Sequence, residues 1–104
     1  MLRQALDFVH ANAEHDISIR DIASASGVTP RAIQYAFREH LDTTPLEYLR
    51  RLRLERAHRE LKLADPARDT VTSIAARCGF SHLSRFSSEY KKTFGTAPSS
   101  TLRG

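Results

Sequence analysis

The sequence predicts an all-α fold of about seven helices, arranged as two similar small units joined by a long linker helix. Three observations carry this. Apolar residues recur at helical spacing, while alternating strand patterns are scarce. Helix start and stop signals recur along the chain. The second half also repeats the first at a nearly constant offset.

The elements follow in order. Leu2, Ala5, Leu6, Val9 and Ala13 form one stripe, so a first helix covers roughly the first dozen residues. His15 and Asp16 lie in a connector. Ser18 caps a second helix, with Asp21 three positions on as a near capping box. Ile19, Ile22 and Ala23 face inward, and Gly27 ends the helix. A third helix starts at Thr29, with Pro30 suited to the first helical position. Ile33, Ala36, Phe37 and Leu41 form its buried side. Thr44-Pro45-Leu46-Glu47 combines a capping box with a first-position proline. The helix it opens runs to about Leu63, ~28 Å at 1.5 Å per residue, and Asp65-Pro66 breaks it. Thr70 caps the next helix, which ends at Gly79. Another runs from about His82 to Phe94 and stops at Gly95, and Pro98 opens a short final segment. The expected division is a first lobe over 1–43, a linker helix over 44–64 and a second lobe over 65–104.

Ile22-Ala23 aligns with Ile74-Ala75, Gly27 with Gly79, Val28 with Phe80 and Thr29 with Ser81. Past the turn the register slips by one. Phe37 then aligns with Tyr90, Arg38 with Lys91, Leu41 with Phe94, Pro45 with Pro98 and Arg50 with Arg103. One extra residue is therefore expected early in the last helix of the second copy. Each copy has the logic of a helix-turn-helix. A small residue (Ala23, Ala75) lets two helices cross closely. A glycine four residues later allows positive φ in the tight turn. Val28 or Phe80 then plugs the core. The following helix is apolar on one face only, through Ile33 and Phe37 or Phe86 and Tyr90, and its other face is polar.

Composition bounds the function classes. A chain of 104 residues with 40% apolar content makes one domain or two very small lobes. The formal net charge is +4, which favours an anionic partner. Residues 1–43 hold four Arg against six acids, a net of −2, and residues 44–104 hold twelve Lys/Arg against six acids, a net of +6. Cys78 stands alone, which excludes an internal disulfide and any CxxC motif and suits a reduced cytoplasm. No apolar run approaches membrane length. Of five histidines only His10 and His15 are close, with no ligand cluster to complete a metal site. His40 and His58 read as surface residues, Ser84 and Ser87 lack a nucleophile elbow, and no Gly-rich phosphate loop exists. Cys78, aligned with Ser26, reads as a small core residue. The expectation is no enzyme, no cofactor and no metal.

The segment Gly79-Phe80-Ser81, followed by Phe86-Ser87, Tyr90-Lys91-Lys92, Phe94-Gly95 and Pro98-Ser99, resembles the signature of AraC/XylS-type transcription regulators. The resemblance runs from Ile17 to Arg103. It implies two helix-turn-helix subdomains joined by a long helix, with the third and sixth helices as recognition helices. It also implies binding to asymmetric double-stranded promoter sites, often as an activator contacting RNA polymerase. Longer members carry an upstream effector-binding domain, and this chain is expected to be either the C-terminal part excised from such a protein, the favoured reading, or a member of the small stand-alone kind. Two departures stand out. Asp42 replaces a usual glycine, so the cap there must use a less favourable left-handed residue. Thr101-Leu102 replaces a common aromatic-Arg pair, and looser packing is expected there.

On the first recognition helix, over about 30–41, Arg31, Gln34, Tyr35 and Arg38 avoid the apolar stripe. Arg suits guanine O6/N7 and Gln suits adenine N6/N7. The resemblance places base contacts at Arg31, Gln34 and Tyr35. On the second, over about 82–94, the outward set is His82, Leu83, Ser84, Arg85, Ser87 and Ser88, and the resemblance matches Ser84, Arg85 and Ser88. Short serines specify bases poorly, so this half is expected to lean on Arg85, backbone contacts and DNA shape. Leu83 suits a thymine methyl, a core or an interface. Phosphate contacts are expected from Arg20 and Thr72, which open the first helix of each unit, and from Lys91 and Lys92. Arg50, Arg51, Arg53, Arg56 and Arg59 form mostly a solvated face, with a minority on DNA. The competing reading is a helical protein–protein interaction module without direct DNA reading. Retention on DNA that falls steeply with salt separates the two.

Overall fold

The computed structural model describes residues 1–104. It contains seven helices and no strand: α1 (Leu2–Asn12), α2 (Ile19–Ala25), α3 (Pro30–Leu41), α4 (Pro45–Leu63), α5 (Val71–Arg77), α6 (Leu83–Phe94) and α7 (Pro98–Arg103). The chain folds into two compact units, Met1–Leu52 and Arg53–Gly104. The boundary falls inside α4. That helix therefore closes the first unit with Tyr48, Leu49 and Leu52 and opens the second with Leu54, Ala57 and Leu61.

In the first unit, α1 buries Ala5 and Val9, and Ala13 at its C-cap continues the same four-residue interval. They pack with Ile22 and Ala23 of α2, Ile33 and Phe37 of α3, and Leu49. A full capping box starts α2: Asp21 N donates to Ser18 Oγ at 3.2 Å, and Ser18 N donates to the Asp21 carboxylate at 2.8 Å. Thr29 caps α3 by accepting from Ala32 N at 3.1 Å. The helix ends on Asp42 at φ 52, the only non-glycine residue with positive φ. Its short polar side chain makes that conformation tolerable. At the start of α4, Glu47 N donates to Thr44 Oγ1 at 3.2 Å, while the Glu47 carboxylate accepts from Thr43 Oγ1 at 3.4 Å. Leu41 departs from expectation. It is 36% exposed rather than buried, because the helix turns away from the core at Asp42.

The second unit repeats this plan with larger side chains. Leu54, Ala57 and Leu61 stand where α1 stood, and they pack with Ile74, Ala75, Cys78, Phe86 and Tyr90. The turn before each reading helix has the same geometry. Gly27 N donates to Ser24 O and Val28 N to Ala23 O, both at 3.1 Å. Gly79 N donates to Ala76 O at 3.1 Å and Phe80 N to Ala75 O at 2.9 Å. These are paired Schellman bonds around a left-handed glycine, at φ 69 and 98. The extra residue of the second copy sits in this turn and not in the helix. Val28 is followed directly by the cap Thr29, whereas Ser81 separates Phe80 from the cap His82. The two reading helices are each twelve residues long.

Expected outcome: Leu61→Ala, at a fully buried position, lowers stability by about 2–5 kcal/mol. Leu63→Ala, two residues on and 81% exposed, changes it by about 0.5 kcal/mol or less. Urea unfolding of the two variants checks the pair.

Candidate nucleic-acid interface

The core fixes which faces are left over. On α3, Ile33, Ala36 and Phe37 are buried, so Arg31, Gln34 and Arg38 line one outer stripe with Tyr35 beside it. All four are exposed, and Tyr35 is 72% exposed. A ring so open on a helix outer face leaves a large aromatic area in water. On α6, Phe86 and Tyr90 are buried, leaving His82, Leu83, Ser84, Arg85 and Ser88 exposed. Lys91 and Lys92 prolong this face in the last turn and are also exposed. Ser87 is half-buried, so it belongs to the edge of the face. Arg20 and Thr72 occupy the same second position of α2 and α5, and both are exposed. His82 caps α6 without a side-chain hydrogen bond to it.

Overlaying the units pairs Arg31 with Ser84, Gln34 with Ser87, Tyr35 with Ser88 and Arg38 with Lys91. The first unit offers long side chains with directional donors. The second offers short hydroxyls and point charges. Beside Gln34, the start of α2 and the start of α4 leave a cleft of about 190 Å³ lined by Ile19, Gln34, Thr44, Pro45 and Leu46. Leu46 is 46% exposed there. In the sequence Leu46 shows only as a helix-start residue. Its signal was an apolar side chain in a first turn that otherwise carries a cap and an acid.

Behind each outer face, polar bonds tie the helices together. In the first unit, the Tyr48 hydroxyl and His10 Nε2 are 2.8 Å apart. In the second, the buried Tyr90 hydroxyl lies 2.7 Å from His58 Nδ1 and donates to Thr101 Oγ1 at 2.9 Å. The His58 ring also stacks on Phe94, with centroids 4.1 Å apart and planes within 7°. His58 is thus half-buried and engaged, not the plain surface residue the sequence suggested. The Thr101-Leu102 pair likewise proves well packed. Thr101 completes the hydrogen-bond chain, and Leu102 packs against the core.

Charge is also fixed within the second unit. Glu60 accepts from Arg77 at 2.7 and 3.0 Å and from the Cys78 thiol at 3.1 Å. Burial acts to raise the Glu60 carboxyl, but the hydrogen bonds from Arg77 and Cys78, with the Arg77 charge, hold it below its ordinary value. Burial and the neighbouring carboxylate push the Cys78 thiol up to about 12. That leaves it protonated and a poor nucleophile, a buried structural group. No three His, Cys, Asp or Glu side chains stand together as a metal site. No helix is long and apolar enough to cross a membrane.

His58 supplies a pH test. Burial, and then the nearby Lys62 charge, lower its pKa from 6.5. The folded protein therefore binds this proton less readily than the unfolded chain does. The resulting stability is complete above pH 6.5 and is lost as pH falls through the lowered folded value. The Glu60 contribution is lost in a lower window, below 4.5. Expected outcome: the urea midpoint falls between pH 7.5 and pH 5.5, and His58→Gln flattens that part of the curve while leaving the more acidic drop in place.

A family model described as "Helix-turn-helix domain" matches residues 22–104. A probable thc operon regulatory protein of Rhodococcus erythropolis is 42% identical over 103 residues, covering 99% of this chain and 31% of its own length. The XylDLEGF operon transcriptional activator 2 of Pseudomonas putida is 33% identical over 99 residues, covering 95% of this chain and 63% of its own. This chain therefore spans less than two thirds of either relative. Among solved structures, a transcriptional regulator of Chromobacterium violaceum described as an AraC-type DNA-binding domain-containing protein superposes with a TM-score of 0.88. It is 33% identical, and the match covers 98% of this chain and 88% of that one.

Proposed function

Since this chain belongs to the AraC/XylS family of helix-turn-helix transcription regulators, whose members are DNA-binding proteins and not enzymes, we propose that it reads an asymmetric promoter site with α3 and α6 in successive major-groove segments. The observation that carries this reading is the pair of exposed polar helix faces, each presented by the same Schellman turn. Arg31, Gln34, Tyr35 and Arg38 contact bases from α3. His82, Ser84, Arg85 and Ser88 contact bases from α6. Arg20, Thr72, Lys91 and Lys92 hold phosphates. The two faces differ in sequence, so the two halves of the site differ as well. The helix over 44–64 connects the two reading lobes.

In the full protein, an upstream effector-binding domain and RNA polymerase are the further partners, and the bacterial cytoplasm is the compartment. The names of the Pseudomonas relatives support an activating role.

The salt dependence of binding tests the reading. With about six phosphates neutralised, log K falls against log salt with a slope of roughly −5. A flat response would overturn DNA binding in favour of a protein-interaction module. Gln34→Ala and Arg31→Ala each relax preference at one or two base pairs and cost about 1–3 kcal/mol, whereas Lys91→Ala weakens all sequences alike. Selection from random duplexes, followed by titration of each variant, separates these outcomes. A five-base-pair insertion between the two segments of the selected site turns one of them by about half a helical turn. Gel-shift titration on that duplex then shows a large loss of affinity. Undiminished affinity would mean that one unit reads alone.

A further inference from the structure

We propose that Leu46, at the second position of α4, is a specificity residue. With Gln34 it forms a two-walled cleft that takes the C5 methyl of a thymine in the base step that Gln34 reads. The inference rests on the reading of α3 as a recognition helix. Several observations lead to it. Leu46 is 46% exposed at the start of α4, so about half of a large apolar side chain is left in water. Its cleft is lined by Ile19, Pro45 and Leu46 together with Thr44, and Gln34 of the base-reading stripe belongs to the same lining. Pro45 is fully buried and holds the wall in place. The volume of about 190 Å³ is ample for a methyl group.

The chemistry of an A·T pair matches these two walls. Adenine offers N7 and N6 to a glutamine amide, and thymine offers a methyl group in the same groove. A glutamine amide by itself can turn its donor and acceptor to suit other base edges. An apolar wall beside it gains contact only when a methyl is there. The second unit lacks the amide and the leucine: Ser87 stands in place of Gln34, and Ser99 in place of Leu46. Val71 and Pro98 keep the apolar character of Ile19 and Pro45 there, so the amide and the exposed leucine are the two features that the units do not share.

The experiment uses the 104-residue chain and the duplex obtained by selection. Each thymine is replaced in turn by deoxyuridine, which keeps every hydrogen-bonding edge and removes only the methyl. At one thymine beside the Gln34 contact, wild-type affinity falls about fourfold, the worth of one buried methyl. Leu46→Ala binds the thymine and uracil duplexes equally, and Leu46→Met, which keeps the bulk, retains the discrimination. The salt slope is unchanged in both variants. Gln34→Ala run in parallel separates the two layers of the argument. If Gln34→Ala relaxes A·T preference but no deoxyuridine weakens the wild type, or if Leu46→Ala keeps the full methyl effect, the role of Leu46 is overturned while the reading of α3 stands. If Gln34→Ala leaves base preference intact, Gln34 reads no base and the cleft proposal falls, whereas the reading of α3 itself fails only if Arg31→Ala is silent as well.

Discussion

The structure depends on one aromatic ring in each unit, Phe37 in α3 and Tyr90 in α6, both without solvent exposure. A helix with such a deeply anchored ring cannot roll, since rolling would withdraw the ring from a close-packed core, and in α6 the buried Phe86 adds a second anchor. The face opposite the ring is then fixed toward solvent. Ala23 and Ala75 act together with the rings. They are small and buried, and they let the preceding helix lie close behind the turn glycine. The outward direction of Arg31 or Arg85 is therefore set by residues that never meet DNA.

Two units of about fifty residues each have little core to rely on, and polar ties supplement it. The units solve the same problem with different chemistry. Tyr48 closes the first unit by meeting His10 across from α1. Its counterpart in the second unit is Thr101, too short to span such a gap, and the hydroxyl is supplied by Tyr90 in place of Phe37. Moving one oxygen from the last helix to the reading helix makes a chain from His58 through Tyr90 to Thr101. That chain links three helices of the second unit. The Glu60 carboxylate adds a clasp on Arg77 and Cys78 just before the turn that leads to α6.

Much of this was legible in the sequence for physical reasons. Glycine at Gly27 and Gly79 is demanded by positive φ. Ser18, Thr29, Thr44 and Thr70 cap helices whose first N–H groups need acceptors. Such local rules act over three or four residues and leave a mark at fixed spacing. What escaped depends on partners far apart in sequence. His58 reads as a surface residue until Tyr90, 32 positions away, is brought to its ring. Thr101 reads as a defect until the same hydroxyl is placed. Leu41 carries the helical period of a core residue, but the left-handed turn at Asp42 ends the core one residue later. The slipped register was visible, yet its position in the turn was not, since periodicity locates an insertion only to within a few residues. On the outer face, periodicity showed which residues avoid the core. It could not show that α2 and α4 bring Ile19 and Leu46 beside Gln34.

The two units share a frame but divide the work of recognition. The first carries six Arg against seven acids, a net of −1, and the second carries ten Lys/Arg against five acids, a net of +5. On the proposed reading, a net-negative unit gains little from the general field of DNA and relies on directed contacts from Arg31, Gln34 and Arg38. On the same reading, a net-positive unit with Ser84, Ser87 and Ser88 on or beside its reading face is attracted to any duplex, and its short side chains leave more of the discrimination to Arg85 and DNA shape. The same backbone turn serves both, because it fixes only where a helix face points and leaves its chemistry free. Under that proposal, general attraction weighs more in the second unit and directed base contact more in the first, while both units still read their own segment of the site.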